Sequence, residues 1–444
     1  MAQTAEYVIV PQDGADSDTR AEIESYLKNI THTDRIRSYT SQSKNKFLWW
    51  VAKLDDSQVK EVEAHDGIQV VEEHIGAKHH RAIDRQPAYL RSKMHPNLRS
   101  AKRHAKMKRE QTAYSRQQNA VEDLRQISIP EGRTNLADYP DYIYESKAGE
   151  GIYIYMADLE MPQDRFLEAI LTPEAEKQGK AKDTDDDEDS HGTCLATKAG
   201  GEYFGGAKKA YVVPIKMAER SASEMVAAYD KMIQSIKGKR EGIAVISNSV
   251  STEELPLAYL SYQISTMVDH VNTLDDMGVP FINSAGNEAL EKSKVTGKLR
   301  TNVDTAPGAF AGDGLPVINV GAVDFQGNLA PFSARGDLVS IYAQGVNDKC
   351  LDRNGNRVRI SGTSIAAPIP ASYVATLLSD MPEDLKDRTG ADLTFGIKYW
   401  IENLAYWTRP SGYKVLWNGV SDDLVEAFKN DDNNAPIEGQ ELEC

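Results

Sequence analysis

A serine at position 364 has surroundings suited to a nucleophile. It lies in segment 361–368, which reads Ser-Gly-Thr-Ser-Ile-Ala-Ala-Pro and directly precedes an apolar run that predicts a helix. Unpaired backbone N–H groups and the positive end of the helix dipole stabilise negative charge that develops beside a serine so placed. A serine before a helix is more often only an N-cap, and the lipase signature G-x-S-x-G is absent because Ala366 replaces its second glycine. Ser364 is therefore a candidate nucleophile that needs partners elsewhere in the chain.

A serine nucleophile needs a base, and the second half of the chain offers few histidines. After residue 110 there are two, His191 and His270. His270 lies in the middle of a predicted helix, where a core or solvated histidine is the usual interpretation. His191 begins the segment His-Gly-Thr-Cys-Leu-Ala at another predicted helix start, and the small Gly192 beside it allows close approach to the imidazole. By elimination, His191 is the candidate general base.

A carboxylate must orient that imidazole and stabilise its charged form. Asp158 follows the predicted strand 152–157, at the carboxyl end where α/β sheets carry their sites. Asp164 is a weaker candidate because it lies in a loop beyond Pro162. Asp158 is therefore the predicted third member of a Ser-His-Asp relay.

A tetrahedral intermediate needs a hydrogen-bond donor for its oxyanion. Asn287 lies in segment 283–288, Asn-Ser-Ala-Gly-Asn-Glu, just after another predicted strand, and can present a side-chain amide N–H. An asparagine in a glycine-containing loop is otherwise a turn residue. Both interpretations stay open on the residues alone.

Alternating elements must position these four side chains. Between residues 148 and 420, short apolar strands alternate with stretches of helical pattern, which predicts an α/β fold with a parallel sheet covered by helices on both faces. The predicted strands are 152–156, 211–215, 243–247, 281–284, 317–320 and 338–343. The predicted helices are 191–199, 223–236, 256–277 and 364–378.

The first 77 residues predict a separate small domain. Strands are expected at 7–10, 47–51 and 68–71, and helices at 19–27 and 57–64. This β-α-β-α-β order is close to the ferredoxin-like α+β pattern. A chain of 444 residues is long enough for two such units with connecting segments.

A basic segment follows the small domain. Residues 78–110 contain eleven Lys or Arg against two acidic residues, within a connecting segment predicted to span 78–147. It is either a solvated linker or a protease-sensitive connector, with Lys102-Arg103 and Lys108-Arg109 as candidate cleavage pairs. Residues 431–444 predict a loose acidic tail.

Net charge and hydropathy exclude some classes of partner but leave the cellular compartment open. The net charge of −16 argues against nucleic acid as the main partner, and no run of eighteen apolar residues predicts a membrane span. The first residues show no signal peptide, so a cytoplasmic or a secreted or vacuolar location stays open. Cys194, Cys350 and Cys444 allow at most one disulfide, which mildly favours a reducing compartment.

Together these motifs resemble the subtilisin-like serine proteases, the subtilases. The chain order Asp158…His191…Ser364 is that of subtilisin. His-Gly-Thr at 191–193, Gly-Thr-Ser-Ile-Ala-Ala-Pro at 362–368 and Ala-Gly-Asn-Glu at 285–288 each match a family motif. Ala-Gly-Glu-Gly at 148–151 is similar to the proteinase K-like branch. The resemblance spans about residues 148–420.

The resemblance implies a serine endopeptidase that acts on extended polypeptides through an acyl-enzyme on Ser364, with Asn287 in the oxyanion site. Segment 246–251 would be the edge that pairs with substrate, with Ser249, Val250 and Ser251 as binding residues. Residues 1–77 would be an inhibitor-type propeptide of a zymogen, and residues 148–430 the catalytic domain. No cofactor is required for the chemistry, and structural Ca²⁺ stays open.

An acidic run before the candidate base has three interpretations. It comprises Asp183, Asp185, Asp186, Asp187, Glu188 and Asp189. It is a solvated loop, a Ca²⁺ site made of clustered carboxylates, or a patch for basic substrate residues, similar to that of kexin-like members.

Three departures from the family pattern accompany the matches. Leu159 and Glu160 follow the candidate Asp, where the family usually has Thr or Ser and then Gly. Cys194 replaces a frequent His, which predicts a thiol near the cleft that is sensitive to mercurials. Gln344 replaces a common Pro. The alternative function is a catalytically silent, subtilase-like binding protein, which would need a damaged triad.

Overall fold

The computed structural model describes residues 4–33, 36–78, 113–158, 170–171, 191–254 and 261–429. Most of the basic connector, Leu159, Glu160, Asp164, the acidic run before His191 and the acidic tail therefore lie outside the described residues. Within the described residues, no helix is both long and apolar enough to cross a membrane.

Nine strands form the central sheet. Their bounds are β8 Tyr153–Asp158, β9 Ile170–Leu171, β10 Tyr211–Lys216, β11 Ala244–Asn248, β13 Phe281–Ser284, β14 Val317–Val323, β15 Val339–Gln344, β18 Tyr406–Thr408 and β19 Lys414–Leu416. Their spatial order is β18-β19-β15-β14-β13-β11-β8-β10-β9, and every pair is parallel except β18 with β19. Most of these strands are near-continuous runs of Val, Ile and other apolar residues, the pattern of strands buried on both faces.

Side chains of one strand alternate between the two faces of this sheet, as strand geometry requires. Ile154 and Met156 belong to a core shared with the helices His191–Gly200 and Pro368–Ser379. Tyr155 and Ala157 belong to a second core, shared with two further helices. Those helices are Ala222–Ile236 and Tyr262–Asp276. The predicted parallel sheet with helices on both faces is confirmed.

The remaining elements surround this sheet. The short strands are β5 Ala77–Lys78, β6 Tyr114–Gln117, β7 Tyr142–Glu145, β12 Ser251–Thr252, β16 Asp348–Leu351 and β17 Arg357–Ile360. The other helices are Glu122–Ser128, Thr363–Ala366, Glu383–Lys386, Gly390–Asn403 and Asp422–Lys429, with 3₁₀ turns at Leu136–Asp138 and Gly308–Asp313.

Part of the predicted connecting segment is folded onto the large unit. Helix Glu122–Ser128 places Leu124 and Ile127 in the same core as the helix His191–Gly200. Strands β6 and β7 pair with each other. In the part described from Ala113 onward, the chain thus contributes to the core around the site.

The small N-terminal domain is a four-stranded antiparallel sheet with two helices. Its strand order, β2-β3-β1-β4, is the ferredoxin-like order. Its strands are β1 Ala5–Pro11, β2 Arg37–Ser41, β3 Lys46–Leu54 and β4 Ile68–Glu73, and its helices are Ser17–Thr31 and Asp56–Glu63. Strand β2 was missed by the sequence prediction because its residues, Arg-Ser-Tyr-Thr-Ser, lack an apolar alternation.

One face of this small sheet packs on the large unit. Val8, Trp49 and Val51 share a core with Met225 and Tyr229 of the helix Ala222–Ile236. Trp49 is fully buried, and its indole Nε1 donates to Ser223 Oγ over 3.1 Å. The two units are therefore docked through apolar burial as well as polar contacts.

The structure corrects the prediction for Cys194. A disulfide joins Cys194, on the helix that begins with His191, to Cys350 in β16. The predicted free thiol and its sensitivity to mercurials are therefore wrong. The spacing of 156 residues gave no local signal for this pairing.

Candidate active site

Asp158 is the last residue of β8, at the carboxyl end of an interior strand of the sheet. The strand places its carboxylate in a fully buried position, with an exposed fraction of 0%. A buried carboxylate is costly unless it is hydrogen-bonded or paired. His191 is such a partner.

His191 bridges the other two predicted residues. Its Nδ1 lies 2.6 Å from Asp158 Oδ2, and its Nε2 lies 3.1 Å from Ser364 Oγ. An ionised carboxylate only accepts hydrogen bonds, so beside an ionised Asp158 this geometry fits Nδ1 as the donor and Nε2 as the acceptor of the serine hydroxyl. The imidazole begins its helix and keeps 13% of its side chain exposed. The arrangement can remove a proton from Ser364.

Ser364 is the second residue of the helix Thr363–Ala366. Ala367 also has helical backbone angles and joins this turn to the helix Pro368–Ser379, so the predicted single helix from Ser364 is divided into two pieces. The serine is 4% exposed, and its carbonyl accepts a hydrogen bond from Ser249 Oγ over 3.2 Å. Its backbone is thus held by the segment that follows β11.

Asn287 has its amide orientation fixed by a neighbour of the serine. Its Oδ1 accepts from the Thr363 backbone N–H at 2.8 Å and from Thr363 Oγ1 at 3.0 Å. Its Nδ2 therefore points the other way. A Cβ placed on Gly362 would lie 3.1 Å from Ser364 Oγ and 3.2 Å from Asn287 Nδ2. The hydroxyl and the amide donor thus face one small space that glycine leaves open.

The predicted substrate edge is shorter than expected. Residues 246–248 belong to β11, which is paired on both sides, with β8 and β13, and offers no edge. Pairing with an added strand occurs farther on, where Ser251 and Thr252 of β12 lie opposite Lys78 and Ala77 of β5. The edge prediction was wrong for 246–248 because the sequence Ile-Ser-Asn-Ser-Val-Ser at 246–251 carries no signal of where the central strand ends.

Residues 75–78, the cleft segment, lie between two parts of the large unit. The Ile75 carbonyl accepts from Ala222 N at 3.0 Å, and the Gly76 carbonyl accepts from Glu253 N at 3.0 Å. Gly76 also forms an antiparallel bridge with Ser221. The cleft segment therefore joins segments 221–222 and 251–253 as a strand between them, which is the binding mode of an extended peptide.

The other titratable candidates lie elsewhere. His270 is fully buried, with its Nε2 3.4 Å from Asp230 Oδ1. Asp164 and the acidic run are outside the described residues. The sequence prediction missed Thr363 and the hydroxyl of Ser249 as groups that hold the site, because a serine or threonine in a loop carries no signal of a distant partner.

One group among the described residues has a metal-like arrangement. Glu6, His74 and Glu219 place one ligand atom each within 4.8 Å of the others. The Arg37 guanidinium forms ion pairs with both carboxylates, through Nη2 with Glu6 Oε2 at 2.9 Å and through Nη1 with Glu219 Oε1. Because the guanidinium already balances this charge, the group is an ion-pair cluster between the two units, and it does not fit a cation site.

Comparisons with known proteins agree with the sequence motifs. A family model described as the Subtilase family matches residues 94–434, which is more than half of the chain. A similar protein is the subtilisin-like serine protease Pen ch 13 of Penicillium rubens, 31% identical over 288 residues. Another is the subtilisin-like protease 2 of Trichophyton rubrum, 29% identical over 298 residues.

These alignments are partial on both sides. They cover 63% and 64% of this chain, and 65% and 62% of the Penicillium and Trichophyton proteins, so the chain spans a little less than two thirds of each relative's length. A crystal structure of a cold adapted subtilisin-like serine proteinase also matches, with a TM-score of 0.49 and 19% identity. That match covers 68% of this chain and 98% of the other.

Proposed function

The chain belongs to the subtilase family, and from that premise we propose that it is a serine endopeptidase that hydrolyses extended polypeptides through an acyl-enzyme on Ser364. The observation that carries the proposal is the continuous relay in which His191 lies 2.6 Å from Asp158 and 3.1 Å from Ser364. Family membership alone does not require an intact relay, whereas catalysis does.

The first step is attack on the peptide carbonyl. His191 Nε2 takes the hydroxyl proton of Ser364 while Oγ forms a bond to the carbonyl carbon. Asp158 stays ionised and stabilises the imidazolium that forms. Asn287 Nδ2 and the Ser364 backbone N–H donate to the oxyanion, which is the charge that develops in the transition state.

The second half of the reaction releases both products. The imidazolium of His191 gives its proton to the leaving amine, the C–N bond breaks, and the acyl group stays on Ser364 Oγ. Water then enters, loses a proton to the same Nε2 and attacks the ester carbonyl, and the proton returns to Oγ as the acid leaves. The chain's own residues perform every proton transfer in this scheme.

A covalent probe tests this function against the silent binding protein. A fluorophosphonate is expected to label Ser364, and the same preparation is expected to hydrolyse casein once the cleft is open. Absence of labelling in a folded preparation would favour the binding protein. Labelling accompanied by ester turnover alone would favour a hydrolase of another substrate class.

Replacing Asn287 with alanine is expected to leave weak activity. The amide donates to the oxyanion and not to the ground-state substrate, so kcat should fall by about 10²–10³-fold, the magnitude known for subtilisin, with KM little changed. Steady-state kinetics on a peptide amide check this. Asn354→Ala, in an exposed turn between β16 and β17, is the control, and equal kcat in Asn287→Ala and the control would exclude the oxyanion role.

We further propose that residues 1–77 act as an intramolecular inhibitor of the catalytic domain, residues 148–430. One support is the cleft segment, which pairs with Ser251 and Thr252. The other is a set of hydrogen bonds between the N-terminal domain and Asp230 on the helix Ala222–Ile236. The Asp230 carboxylate accepts from Ser41 Oγ at 2.6 Å and from the Gln42 backbone N–H at 2.9 Å. The basic connector beyond residue 78 would then carry the activating cut.

One carboxylate of the interface, that of Asp230, makes this docking sensitive to acid. The pKa of Glu6 is also lowered, to about 2, but by hydrogen bonding to His74 and by the Arg37 charge, which belong to its own domain. Burial alone would raise the pKa of Asp230, but the neighbouring His270 and the hydroxyls of Ser41 and Ser43 outweigh it and lower this pKa to about 2. A lowered pKa in the docked state means that the stabilisation is complete above the ordinary carboxyl pKa and is lost as pH falls toward 2.

Docking is therefore expected to be constant from pH 5 to 8 and to weaken below about pH 4. Hydrogen-exchange protection of the Gln42 and Ser43 amides in a Ser364→Ala chain measures it. The substitution Asp230→Asn should lower that protection already at pH 7. Unchanged protection in this variant would contradict the role of Asp230 in docking.

A further inference from the structure

Three asparagines stand in one row across the centre of the sheet. Asn248 of β11 is the register partner of Asn283 of β13, which is the register partner of Asn319 of β14. The exposed fractions are 1%, 0% and 0%. Buried amides are unusual in the middle of a parallel sheet, where apolar residues are the rule. We call these three residues the asparagine ladder.

The ladder is hydrogen-bonded in one direction. Tyr229 OH donates to Asn248 Oδ1 at 3.0 Å, Asn248 Nδ2 donates to Asn283 Oδ1 at 2.8 Å, and Asn283 Nδ2 donates to Asn319 Oδ1 at 2.9 Å. The amide nitrogens of Asn248 and Asn283 each donate their second hydrogen to a backbone carbonyl, and that of Asn319 donates both hydrogens to backbone carbonyls. Turning over Asn283 or Asn319 would bring two N–H groups face to face, and turning over Asn248 would bring two amide oxygens face to face, so the three orientations fix one another.

The second hydrogen bonds reach the segments that form the site. Asn248 Nδ2 donates to the Val250 carbonyl at 2.6 Å, and Asn283 Nδ2 donates to the Ser284 carbonyl at 2.8 Å. Val250 follows Ser249, whose hydroxyl holds the Ser364 carbonyl. Ser284 begins the turn that carries residues 285–287, the oxyanion loop. The ladder is therefore bonded to both sides of the proposed cleft.

The third amide fastens the ladder to the chain around it. Asn319 Nδ2 donates to the carbonyls of Gly308 and Leu338, each at 2.9 Å. A Cβ on Gly308 would fall 2.8 Å from Asn283 Nδ2, so the absence of a side chain there lets the backbone approach the row. The position of Asn283 is thus fixed by side chains of both neighbouring strands and by the backbone at Gly308, which lies against it.

We propose that the asparagine ladder is a positioning device for catalysis, with Asn283 setting the place of the oxyanion loop relative to the substrate edge at residues 249–252. This rests on the proposed peptidase function. The strands already pair through their backbones, and the adjacent pair Ile282 and Ile318 is apolar, so strand pairing does not require the amides. Polar groups in that row instead fix loop carbonyls that an apolar side chain could not hold.

The test is Asn283→Ala in the wild-type and Asn287→Ala backgrounds. Loss of the central amide should lower kcat by about 10–100-fold, since displacement of a catalytic group by about 1 Å costs that much, and should leave KM nearly unchanged. In the Asn287→Ala background the same change should have little further effect, because the donor that it positions is gone. A kcat loss that multiplies in the double variant, as general destabilisation would give, overturns the proposal.

Two more variants separate positioning from stability. Ile318→Val removes buried volume from the neighbouring row and should leave kcat unchanged although unfolding becomes easier. Tyr229→Phe removes only the hydroxyl that begins the ladder and keeps the ring, so it tests the idea if Asn283→Ala does not fold. It should lower kcat by a few-fold, and kcat equal to that of wild type would count against the ladder.

A measurement without turnover distinguishes failure of this proposal from failure of the proposed function. In a Ser364→Ala chain, Asn283→Ala should lower the hydrogen-exchange protection of the Gly286 and Asn287 amides at least ten-fold, while Ile318→Val should not. If the protein proves to have no peptidase activity, this result still decides whether the ladder positions the loop. Equal protection in the two variants would refute it.

Discussion

Replacing Ser364 with alanine is expected to abolish peptide hydrolysis and to leave the fold intact. The substitution removes one buried hydroxyl that is 3.1 Å from His191 Nε2 and makes no cavity larger than an oxygen atom. Without the nucleophile, only the oxyanion donors and substrate binding remain, and by analogy with subtilisin the fall in kcat is on the order of 10⁶-fold. Hydrolysis of a peptide amide by matched amounts of each protein measures the loss.

The same variant reports on maturation. If the protein cuts its own connector, Ser364→Ala should accumulate as a single uncut chain, and N-terminal sequencing of wild type should find a new terminus beyond residue 78. Ser361→Ala changes an exposed serine in the same segment and should behave as wild type. Full activity in purified Ser364→Ala would remove the basis of the mechanism.

Replacing Asp158 with asparagine is expected to lower kcat by about 10⁴-fold. The side chain keeps its size in a fully buried position, but an amide no longer stabilises the imidazolium of His191. If the new amide donates from Nδ2 to His191 Nδ1, the imidazole proton must sit on Nε2. Nε2 can then no longer accept the hydrogen bond from the Ser364 hydroxyl. Serine labelling by a fluorophosphonate should slow in parallel with peptide hydrolysis.

The matched control is Asp352→Asn. Asp352 lies in a turn at the surface, and its carboxylate accepts hydrogen bonds from Asn354 and Asn356 of the same turn. It should leave kcat unchanged. Near-normal kcat in a correctly folded Asp158→Asn variant would show that another group orients His191.

The site residues could be predicted because each has a local signature. Asp158 ends an apolar strand, His191 and Ser364 lie in the first turn of helices, and Asn287 follows a strand in a glycine-containing loop. The strand-helix alternation then implies that these positions meet at the carboxyl edge of one sheet. The residue type, the element that carries it and its place at the carboxyl edge of the sheet can all be predicted from the sequence. The contacts among the four side chains then follow from the topology.

Features that depend on pairing between distant segments were not predicted. Strand β2, with its polar sequence, exists because it pairs with β3. The asparagine ladder was invisible, since Asn248, Asn283 and Asn319 occupy one row only once three strands are in register. Likewise, no residue in segment 246–251, Ile-Ser-Asn-Ser-Val-Ser, marks the end of the central strand, and only pairing with neighbouring strands sets that boundary.

The bond between Cys194 and Cys350 closes a covalent ring that contains most of the central sheet and the oxyanion loop. Asp158, His191 and Ser364 all lie outside the ring. The first two are on the chain arm before Cys194, Ser364 is on the arm after Cys350, and the disulfide joins the two arms. A protease nick anywhere inside the ring, for example in the loop with exposed Leu290 and Leu299, would therefore leave both arms tethered. The nicked protein would run as one species without reductant and as two fragments with it.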